Sequence, residues 1–449
     1  MDISALIPAF GGFAWTIFFF VVALSVIVAI HEYGHYIVGR WSGIHADVFS
    51  IGFGPVIWSR VDKRGTRWQI AALPFGGYVK FAGDANAASG KDTSAMEEAA
   101  DDPVALRRTM HGAPLWARAA TVAAGPAFNF VLSIMVFAAV IFFTGVPRDP
   151  LMVGEIRPLP GGAYELREGD IVREIEGQPV PSINSEDYAS FVDTIPEKPQ
   201  LEYLVERGGD VMTVTGPYLF PPLVTRVVPR SAGLAAGFEA GDVITAVNGA
   251  PVFRFGQLPE VIENSDGEPV QLAVWRSGDE LQFELSPKLV DEPDGQGGFD
   301  KKWRIGLGGG QAFDMGRESP APWEAVSGGY DRMIGVISGS INGLGHLITG
   351  AISSCNLSGP IGIAQVAGTT ASHSLGDFIW FIAVLSTAVG LLNLFPIPAL
   401  DGGHLVFYAY EAVTGKPPSD GALRVLMTVG LTLVLSLMLF ALGNDIFCP

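Results

Sequence analysis

The sequence predicts a polytopic α-helical membrane protein with four membrane-spanning helices and a duplicated β-rich module outside the membrane. Three observations support this prediction. Only 16% of the 449 residues are charged, against about 25% in soluble domains, and the mean hydropathy is positive at +0.34. Four apolar runs are each long enough, at about 20 residues, to cross a bilayer as a helix. A short motif occurs twice between the second and third runs.

Four apolar runs define the predicted spans. They cover residues 15–30 with a continuation past His35, 115–143, 378–394 and 423–442. The first run has no basic residue before it and no small-residue cleavage site after it, so we expect a retained helix rather than a signal peptide. A fifth stretch, residues 333–352, is interrupted by glycines and carries Asn342 and His346. We expect it to lie on the membrane or on the outer module rather than to span.

The distribution of charge predicts how these spans are oriented. Residues 40–118 hold ten Lys and Arg residues, whereas the first twelve residues hold none, and basic residues collect on the cytoplasmic side of a membrane. The N-terminus, the C-terminus and residues 148–377 are therefore expected outside. Residues 148–378 contain 16 basic and 32 acidic residues, which accounts for most of the net charge of −18. Such an acidic balance argues against a nucleic-acid partner.

The repeated motif predicts two small β-rich domains in tandem. Residues 168–180 align with residues 240–252 at Gly, Asp, Gly, Pro and Val, and each copy is followed by a strand, a basic residue and a turn. The pattern resembles PDZ domains of the bacterial protease type, which bind extended peptides or chain ends by adding a strand to a sheet edge. The alternative is that both copies act as spacers or size filters without a peptide ligand.

A candidate metal motif lies at the inner end of the first span. The segment His31-Glu32-Tyr33-Gly34-His35 places two imidazoles four residues apart, on one face of a helix, with a glutamate on the adjacent arc. Two histidines at this spacing can hold Zn²⁺ while the glutamate reaches a water molecule. Polar residues at the end of a lipid-embedded helix are costly unless they pair or bind metal.

A third ligand is expected where the third span ends. Pro396 and Pro398 terminate that span, and Asp401 follows on a glycine-rich stretch that can bring a carboxylate close to a metal. With four spans, the third runs from outside to inside. This topology places Asp401 on the same side of the membrane as His31 and His35, whereas a further span at residues 333–352 would place it on the opposite side.

These motifs together resemble the site-2 protease family of intramembrane zinc metalloproteases. The resemblance rests on HExxH in the first span, the element NLFPIPALDGG in the third span and the PDZ-like repeat between spans two and three, and it covers nearly the whole chain. Further matching stretches are residues 49–55, 73–80, 125–129 and 357–363. The resemblance implies that residues 47–81 form a membrane-reentrant β-loop whose edge pairs with substrate. An ordinary cytosolic hairpin is the alternative.

The resemblance also implies residue roles. His31, His35 and Asp401 would bind Zn²⁺, and Glu32 would be the general base. Predicted substrate-binding residues are Asn393, Pro396, Pro398, Gly76 and Gly77. Two further residues are candidates for contacts with the ligands, His404 and Asn129. For His404 a packing role is an equal alternative, whereas a buried amide such as Asn129 usually bonds to a neighbouring helix in lipid.

The predicted function is an intramembrane zinc endopeptidase that cleaves transmembrane segments of single-span membrane proteins. The family implies a membrane-bound anti-sigma factor in an envelope stress response and remnant signal peptides as substrates, and a multi-pass location in the bacterial inner membrane. The active site would face the cytoplasmic side, with both termini and the PDZ-like domains in the periplasm. A non-catalytic PDZ-bearing adaptor with a structural metal is the alternative; metal transport is weaker, because the spans lack further ionisable residues along a path.

The sequence divides into nine segments. They are the first span with HExxH (1–40), the cytoplasmic-side segment with the β-loop (41–114), the second span (115–146), two PDZ-like domains (147–220 and 221–290), an outer linker with amphipathic helices (291–376), the third span with LDGG (377–404), a cytoplasmic-side link (405–422) and the fourth span (423–449). Cys355 and Cys448 can form at most one disulfide, and the sequence does not decide whether they do.

Overall fold

The computed structural model describes residues 3–85, 90–161, 164–228, 231–293 and 299–448. Its described part divides into two compact units. The first contains Met1–Ile141, Ala321–Ile348 and Ser354–Cys448, and the second contains Phe142–Pro320 and Thr349–Ser353. In the first copy of the repeat, residues 161–163 match the carboxylate-binding loop of PDZ domains poorly in sequence. Residues 162 and 163 of this loop lie outside the described residues.

The N-terminal part of the first unit consists of two long helices separated by a hairpin and two short helices. Its elements are α1 (Ile3–Trp41), β1 (Ala46–Val61), β2 (Arg67–Phe81), α2 (Thr93–Ala100), α3 (Pro103–Arg107) and α4 (Leu115–Thr144). In the described residues, four helices are long and apolar enough to cross a membrane: Gly12–Trp41, Leu115–Thr144, Leu375–Asn393 and Asp420–Phe447. The prediction of four helices that could span a membrane is confirmed.

The hairpin of β1 and β2 is curled back on itself. Residues 48–51 pair twice, so that Phe49 faces both Val79 and Trp68. Gly52 makes the bend possible, because it has a φ of +90° and a β-carbon there would lie 2.8 Å from a backbone carbonyl oxygen. Large apolar side chains stand exposed on the far part of the hairpin, at Phe53, Val56, Ile57, Trp58 and Leu73. A patch of this kind is typical of contact with lipid or with another chain.

The second unit contains most of the strands. Its elements are β3 (Val146–Pro147), β4 (Val153–Ile156), β5 (Ile171–Ile175), β6 (Gln178–Pro179), α5 (Asp187–Thr194), β7 (Gln200–Arg207), β8 (Asp210–Pro217), β9 (Val224–Val227), α6 (Ala232–Ala236), β10 (Val243–Val247), β11 (Ala250–Pro251), α7 (Gln257–Glu263), β12 (Val270–Arg276), β13 (Asp279–Leu285), β14 (Lys288–Pro293), β15 (Phe299–Arg304), β16 (Leu307–Gly309), β17 (Phe313–Met315) and β18 (Arg317–Glu318).

Two four-stranded sheets in this unit have the same strand order. One runs β6-β5-β7-β8 and the other β11-β10-β12-β13, and each covers its own apolar core. In each sheet the aspartate of the repeated motif is buried and accepts two hydrogen bonds from an arginine: Asp170 from Arg207 at 2.7 Å, and Asp242 from Arg276 at 2.6 and 2.7 Å. Burial raises the pKa of Asp170, but the hydrogen bonds from Arg207 and from the backbone N–H of Arg167, together with the charges of both arginines, hold that pKa below its usual value.

The segment predicted as an outer linker contains both strands and helices. Strands β16, β17 and β18 return to pair with β9, β4 and β3, and only the later residues are helical. The identification of the two sheets as PDZ-like domains with the stated boundaries stays a prediction.

The C-terminal part of the first unit is helical. Its elements are α8 (Pro322–Thr349), a short 3₁₀ helix (Ser354–Asn356), α9 (Pro360–His373), α10 (Leu375–Asn393), α11 (Asp401–Thr414) and α12 (Asp420–Phe447). Helix α8 is not among the four candidate spans of the described residues. It packs Met333 against Phe137 of α4 and Ala383 of α10. Helix α11 occupies much of the predicted cytoplasmic-side link.

The end of α12 is fixed to the start of α9. Cys448 forms a disulfide with Cys355. The carboxylate of Asp445 accepts hydrogen bonds from the N–H groups of Gly359 and Gly362 at 2.9 and 3.0 Å, where the first turn of α9 has no partners within the helix. Helix α9 in turn packs against α1. The fourth span is thereby tied, through α9, to the helix that carries the HExxH motif.

Candidate metal centre

Three of the predicted ligands converge in the first unit. His31 and His35 lie one turn apart on α1, and Asp401 is the first residue of α11. The Nε2 atoms of the two histidines are 3.1 Å apart, and Asp401 Oδ2 lies 3.1 Å from His31 Nε2 and 3.5 Å from His35 Nε2. The three side chains are only 12–17% exposed. Among the described residues this is the one group of three or more such side chains that could hold a metal ion.

Backbone packing of the segment after α10 brings Asp401 to the histidines. Helix α10 ends at Asn393, and the chain then turns through Ala399, whose φ of +91° is unusual for a residue with a β-carbon. A β-carbon on Gly402 would collide with the carbonyl oxygens of Leu394 and Phe395, and one on Gly403 with that of Ile397. The two glycines of the LDGG element are therefore required for this tight turn.

Close contact between α1 and α4 shapes the other side of the centre. A β-carbon on Gly34 would lie 2.5 Å from the carbonyl oxygen of Ala124. A β-carbon on Gly125 would collide with His35 Nε2 and lie 2.8 Å from His31 Cε1. Gly125 therefore leaves the space in α4 that the two imidazoles occupy. Helix α4 can approach the metal motif only because this position has no side chain.

Residues of α4 also fix the ring orientation of both histidines. His35 Nδ1 lies 2.9 Å from the carbonyl oxygen of Thr121, so this nitrogen carries the proton and Nε2 keeps its lone pair. His31 Nδ1 lies 3.2 Å from the side-chain amide of Asn129, whose Oδ1 is buried and has no hydrogen-bond partner among the described residues. With the amide turned so that Oδ1 faces His31, Oδ1 accepts a hydrogen bond from the Nδ1–H group of His31. Each Nε2 atom then faces the site as a metal ligand.

The residues present fit a zinc ion. Asp401 Oδ2 is buried and has no hydrogen-bond partner among the described residues, which is costly for a carboxylate oxygen unless a cation is bound. Two imidazole nitrogens and one carboxylate oxygen form a donor set used by catalytic zinc sites, which keep a fourth position open for water or substrate.

The centre opens into a cavity of about 530 Å³. Its lining includes Glu32, Gly77, Asn393 and His404 together with the three converging residues. A β-carbon on Gly77 would lie 3.2 Å from Glu32 Cγ, so the end strand of the hairpin runs directly beside the glutamate. Asn393 donates from Nδ2 to the carbonyl oxygen of Val389 at 3.1 Å. His404 lines the cavity but is outside the group that could hold the metal.

The remaining predicted substrate-binding residues do not line the cavity. Gly76 has a φ of +151° and stands against the ring of Phe53. Pro396 is exposed, and Pro398 packs its carbonyl group against Gly430 of α12. These positions shape the hairpin and the turn before α11; none of the three lines the described cavity.

Sequence reasoning missed several residues that support the centre. Thr121, Gly125 and Ala399 were not singled out, although Gly125 lies in a stretch that matches the site-2 proteases. It also missed the pairing of Arg118 with Glu411, whose two bonds at 2.6 and 3.0 Å join α4 to α11. No spacing in the sequence predicts this contact, because 293 residues separate the partners.

Replacing Gly125 by alanine is expected to disrupt the metal centre. The added β-carbon would displace the imidazoles of His35 and His31 from their positions beside the Asp401 carboxylate. Zinc bound by the purified protein, measured by inductively coupled plasma mass spectrometry, should fall well below the wild-type content. Gly339→Ala is the matched control, since a β-carbon there meets nothing within 4 Å. Full zinc content in Gly125→Ala would contradict this account of the packing.

Comparison with known proteins agrees with the geometry. A model of peptidase family M50 matches residues 19–437. Atu1380 of Agrobacterium fabrum, named a zinc metalloprotease, is 36% identical over 428 residues, which cover 95% of this chain and 94% of that protein. The regulator of sigma-E protease RseP of Salmonella typhimurium is 30% identical over 459 residues, covering 96% and 98%. The chain therefore belongs to peptidase family M50, the site-2 proteases, and is a membrane-embedded zinc metalloprotease.

Proposed function

We propose that this protein cleaves peptide bonds within transmembrane segments of single-span membrane proteins, with zinc held by His31, His35 and Asp401 and with Glu32 as the general base. One observation carries the proposal: three ligand atoms converge beside a glutamate at the end of a helix that is apolar enough to span a membrane. Zinc and a positioned carboxylate together are the parts that a metal-assisted hydrolysis needs.

The side chains have separate roles in the proposed reaction. Zinc, when bound, supplies Lewis-acid chemistry that polarises the scissile carbonyl group. Glu32 accepts the proton of the attacking water molecule and passes it to the nitrogen of the leaving amine. Thr121 and Asn129 keep the two imidazoles in the orientation that leaves Nε2 free for metal. None of these steps requires a further cofactor.

The substrate must unwind before it can be cleaved. A transmembrane helix satisfies its backbone groups internally and presents only side chains to its surroundings. We propose that the unwound segment pairs with the hairpin strand at residues 77–81, because this strand lines the cavity and passes beside Glu32. Such strand addition supplies new partners for backbone groups that the substrate helix has released. The amide of Asn393, which also lines the cavity, would hold the substrate backbone.

A membrane-bound anti-sigma factor in an envelope stress response is the proposed physiological substrate, with remnant signal peptides as a second class. The support is the name of the relative from Salmonella typhimurium, a regulator of sigma-E protease, which matches this chain over almost its full length. The two similar sheets of the second unit would act as PDZ-like domains that either bind peptides or chain ends or limit the size of substrates.

The protein is a bacterial inner-membrane protein, and we propose that both termini and the second unit are periplasmic. The concentration of basic residues between the first two spans supports this orientation. The disulfide between Cys355 and Cys448 supports it independently, because disulfides persist in the periplasm and are rare in the cytosol. The metal centre, at the other end of α1, then faces the cytoplasmic side.

A non-catalytic adaptor with a structural metal is the competing function. Structural zinc sites have four protein ligands, whereas the described residues supply three to this centre, which opens into a cavity that Glu32 also lines. A structural site has no use for a general base, so the geometry favours the peptidase.

Glu32→Gln is expected to abolish cleavage of a model single-span substrate by the purified protein reconstituted in lipid. The amide cannot accept the proton, but it leaves the three ligands unchanged, so zinc should stay bound. Gly77→Ala should lower the cleavage rate with zinc retained, since its β-carbon would also collide with the carbonyl oxygen of Ser50 and move the strand. Cleavage and zinc are measured by gel assay and mass spectrometry on the same preparations.

The outcomes separate the two functions. Cleavage by Glu32→Gln at the wild-type rate, with zinc bound, would overturn the proposed mechanism. A wild-type protein that binds zinc and cleaves none of several single-span substrates would favour the adaptor.

Cysteine labelling should report the proposed orientation. A membrane-impermeant maleimide added to intact spheroplasts is expected to label a cysteine introduced at Ser277, and to label one introduced at Lys91 only after lysis. Both positions are exposed. The native cysteines should stay unlabelled without reductant, because they are paired. The reverse pattern at the two introduced positions would show that the chain is inserted the other way.

A further inference from the structure

A second cavity, of about 380 Å³, lies at the inner end of α1, apart from the metal centre. Four of its lining side chains are basic or can become so. The lining is Tyr36, Arg40, Gly43, Ile44, His45, Ala46, Arg64, Thr66 and Arg108. Three chain segments contribute: the end of α1 with its following loop, the turn between β1 and β2, and the residue after α3.

The three guanidinium groups of this cavity have no carboxylate partner in the described part of the chain. Arg40 donates to the hydroxyl of Tyr36 at 2.6 Å, and that hydroxyl donates to Asp62 Oδ2 at 3.4 Å, so Arg40 has no direct carboxylate partner among the described residues. The side chains of Arg64 and Arg108 are exposed and make no hydrogen bond or ion pair with described residues. Several other arginines of this protein are paired with a carboxylate, as Arg118 is with Glu411. Three guanidinium groups around one cavity repel one another, and a bound anion would offset that repulsion.

A fourth guanidinium stands behind the cavity wall. Arg107 donates from Nη2 to the carbonyl oxygen of Ser42 at 2.9 Å, while its Nη1 is buried with no partner among the described residues. This Nη1 atom lies 3.5 Å from the position that a β-carbon on Gly43 would take, and Gly43 lines the cavity. A buried donor without a partner is rare in folded proteins and indicates a missing acceptor.

The nearby carboxylates are already engaged. Asp62 accepts hydrogen bonds from the backbone N–H groups of Arg64 and Thr66 at 2.8 and 3.1 Å, and from Nε1 of Trp68 at 3.2 Å. Asp47 lies 3.7 Å from Nε2 of His45. Asp62 thus orders the turn that carries Arg64, and neither carboxylate lines the cavity.

The position of the cavity favours a lipid as the source of the anion. Arg40 is the penultimate residue of α1, and the next residue, Trp41, is 73% exposed, as is typical of tryptophan at a membrane interface. Guanidinium groups bind phosphate through paired, charge-assisted hydrogen bonds, and basic clusters beside a span attract anionic headgroups.

We propose that this cavity binds a phosphate group, with the headgroup of an anionic phospholipid as its source. The bound phosphate joins the inner end of α1 to the turn of the hairpin and to the segment before α4. These are the elements that carry the metal motif and the proposed substrate strand. That the lipid comes from the inner leaflet depends on the proposed orientation of the protein. Binding of the phosphate group does not depend on that orientation.

Native mass spectrometry of the full-length protein in neutral detergent tests the proposal. The protein is titrated with phosphatidylglycerol, with phosphatidylcholine and, in a separate arm, with inorganic phosphate. The test variant is Arg64→Gln/Arg108→Gln, because neither side chain supports the fold through a described contact. The control is Arg60→Gln/Arg67→Gln, which removes the same charge from exposed hairpin positions outside the cavity.

Phosphatidylglycerol should bind the wild type and the control with similar affinity and bind the test variant about tenfold more weakly, since two guanidinium contacts are lost. If inorganic phosphate binds and phosphatidylglycerol does not, and the binding depends on Arg64 and Arg108 in the same way, the cavity is a phosphate site whose ligand is a soluble molecule rather than a lipid. Equal affinity for phosphatidylcholine, equal losses in the two variants, or no binding of either phosphate probe would overturn the proposal.

Discussion

The close contact of α1 with α4 is the constraint on which the rest of the site depends. Two apolar helices gain little from the hydrophobic effect where lipid surrounds them, and they associate instead through close packing at small residues. Gly34 and Gly125 provide that packing, and Gly125 also makes room for the imidazoles of His31 and His35. The same contact brings Thr121 to the ring of His35. The contact that packs the two helices therefore also orients the imidazoles.

Asp401 reaches this pair of helices by a different route. Its carboxylate follows a turn in which Gly402 and Gly403 allow close contact with the carbonyl groups of residues 394–397. The pairing of Arg118 with Glu411 then joins α11 to α4. At the other end of the first unit, Asp445 and the disulfide of Cys448 tie α12 to α9, which packs on α1. Bonds at both ends of these helices therefore hold the arrangement of the metal centre.

Much of the site could be predicted from sequence, because its chemistry depends on short spacings. His31, Glu32 and His35 follow helical periodicity, and the placement of Asp401 at the same end of the spans as the two histidines follows from counting apolar runs. Contacts between distant segments carry no such signal, which is why the supporting role of Gly125 was missed. The strands at residues 307–318 were missed for a related reason: they are two or three residues long and become ordered only by pairing with earlier strands.

Zinc K-edge X-ray absorption on the purified, zinc-loaded full-length protein in lipid nanodiscs tests the central claim most directly. The ligand arrangement described here predicts two imidazole nitrogens and carboxylate oxygen at about 2.0–2.2 Å, with no sulfur at about 2.3 Å. Asp401→Ala should remove the carboxylate contribution and keep both imidazoles. A spectrum with sulfur ligands, or with fewer than two imidazoles in the wild type, would contradict the assignment of His31, His35 and Asp401 as the metal ligands.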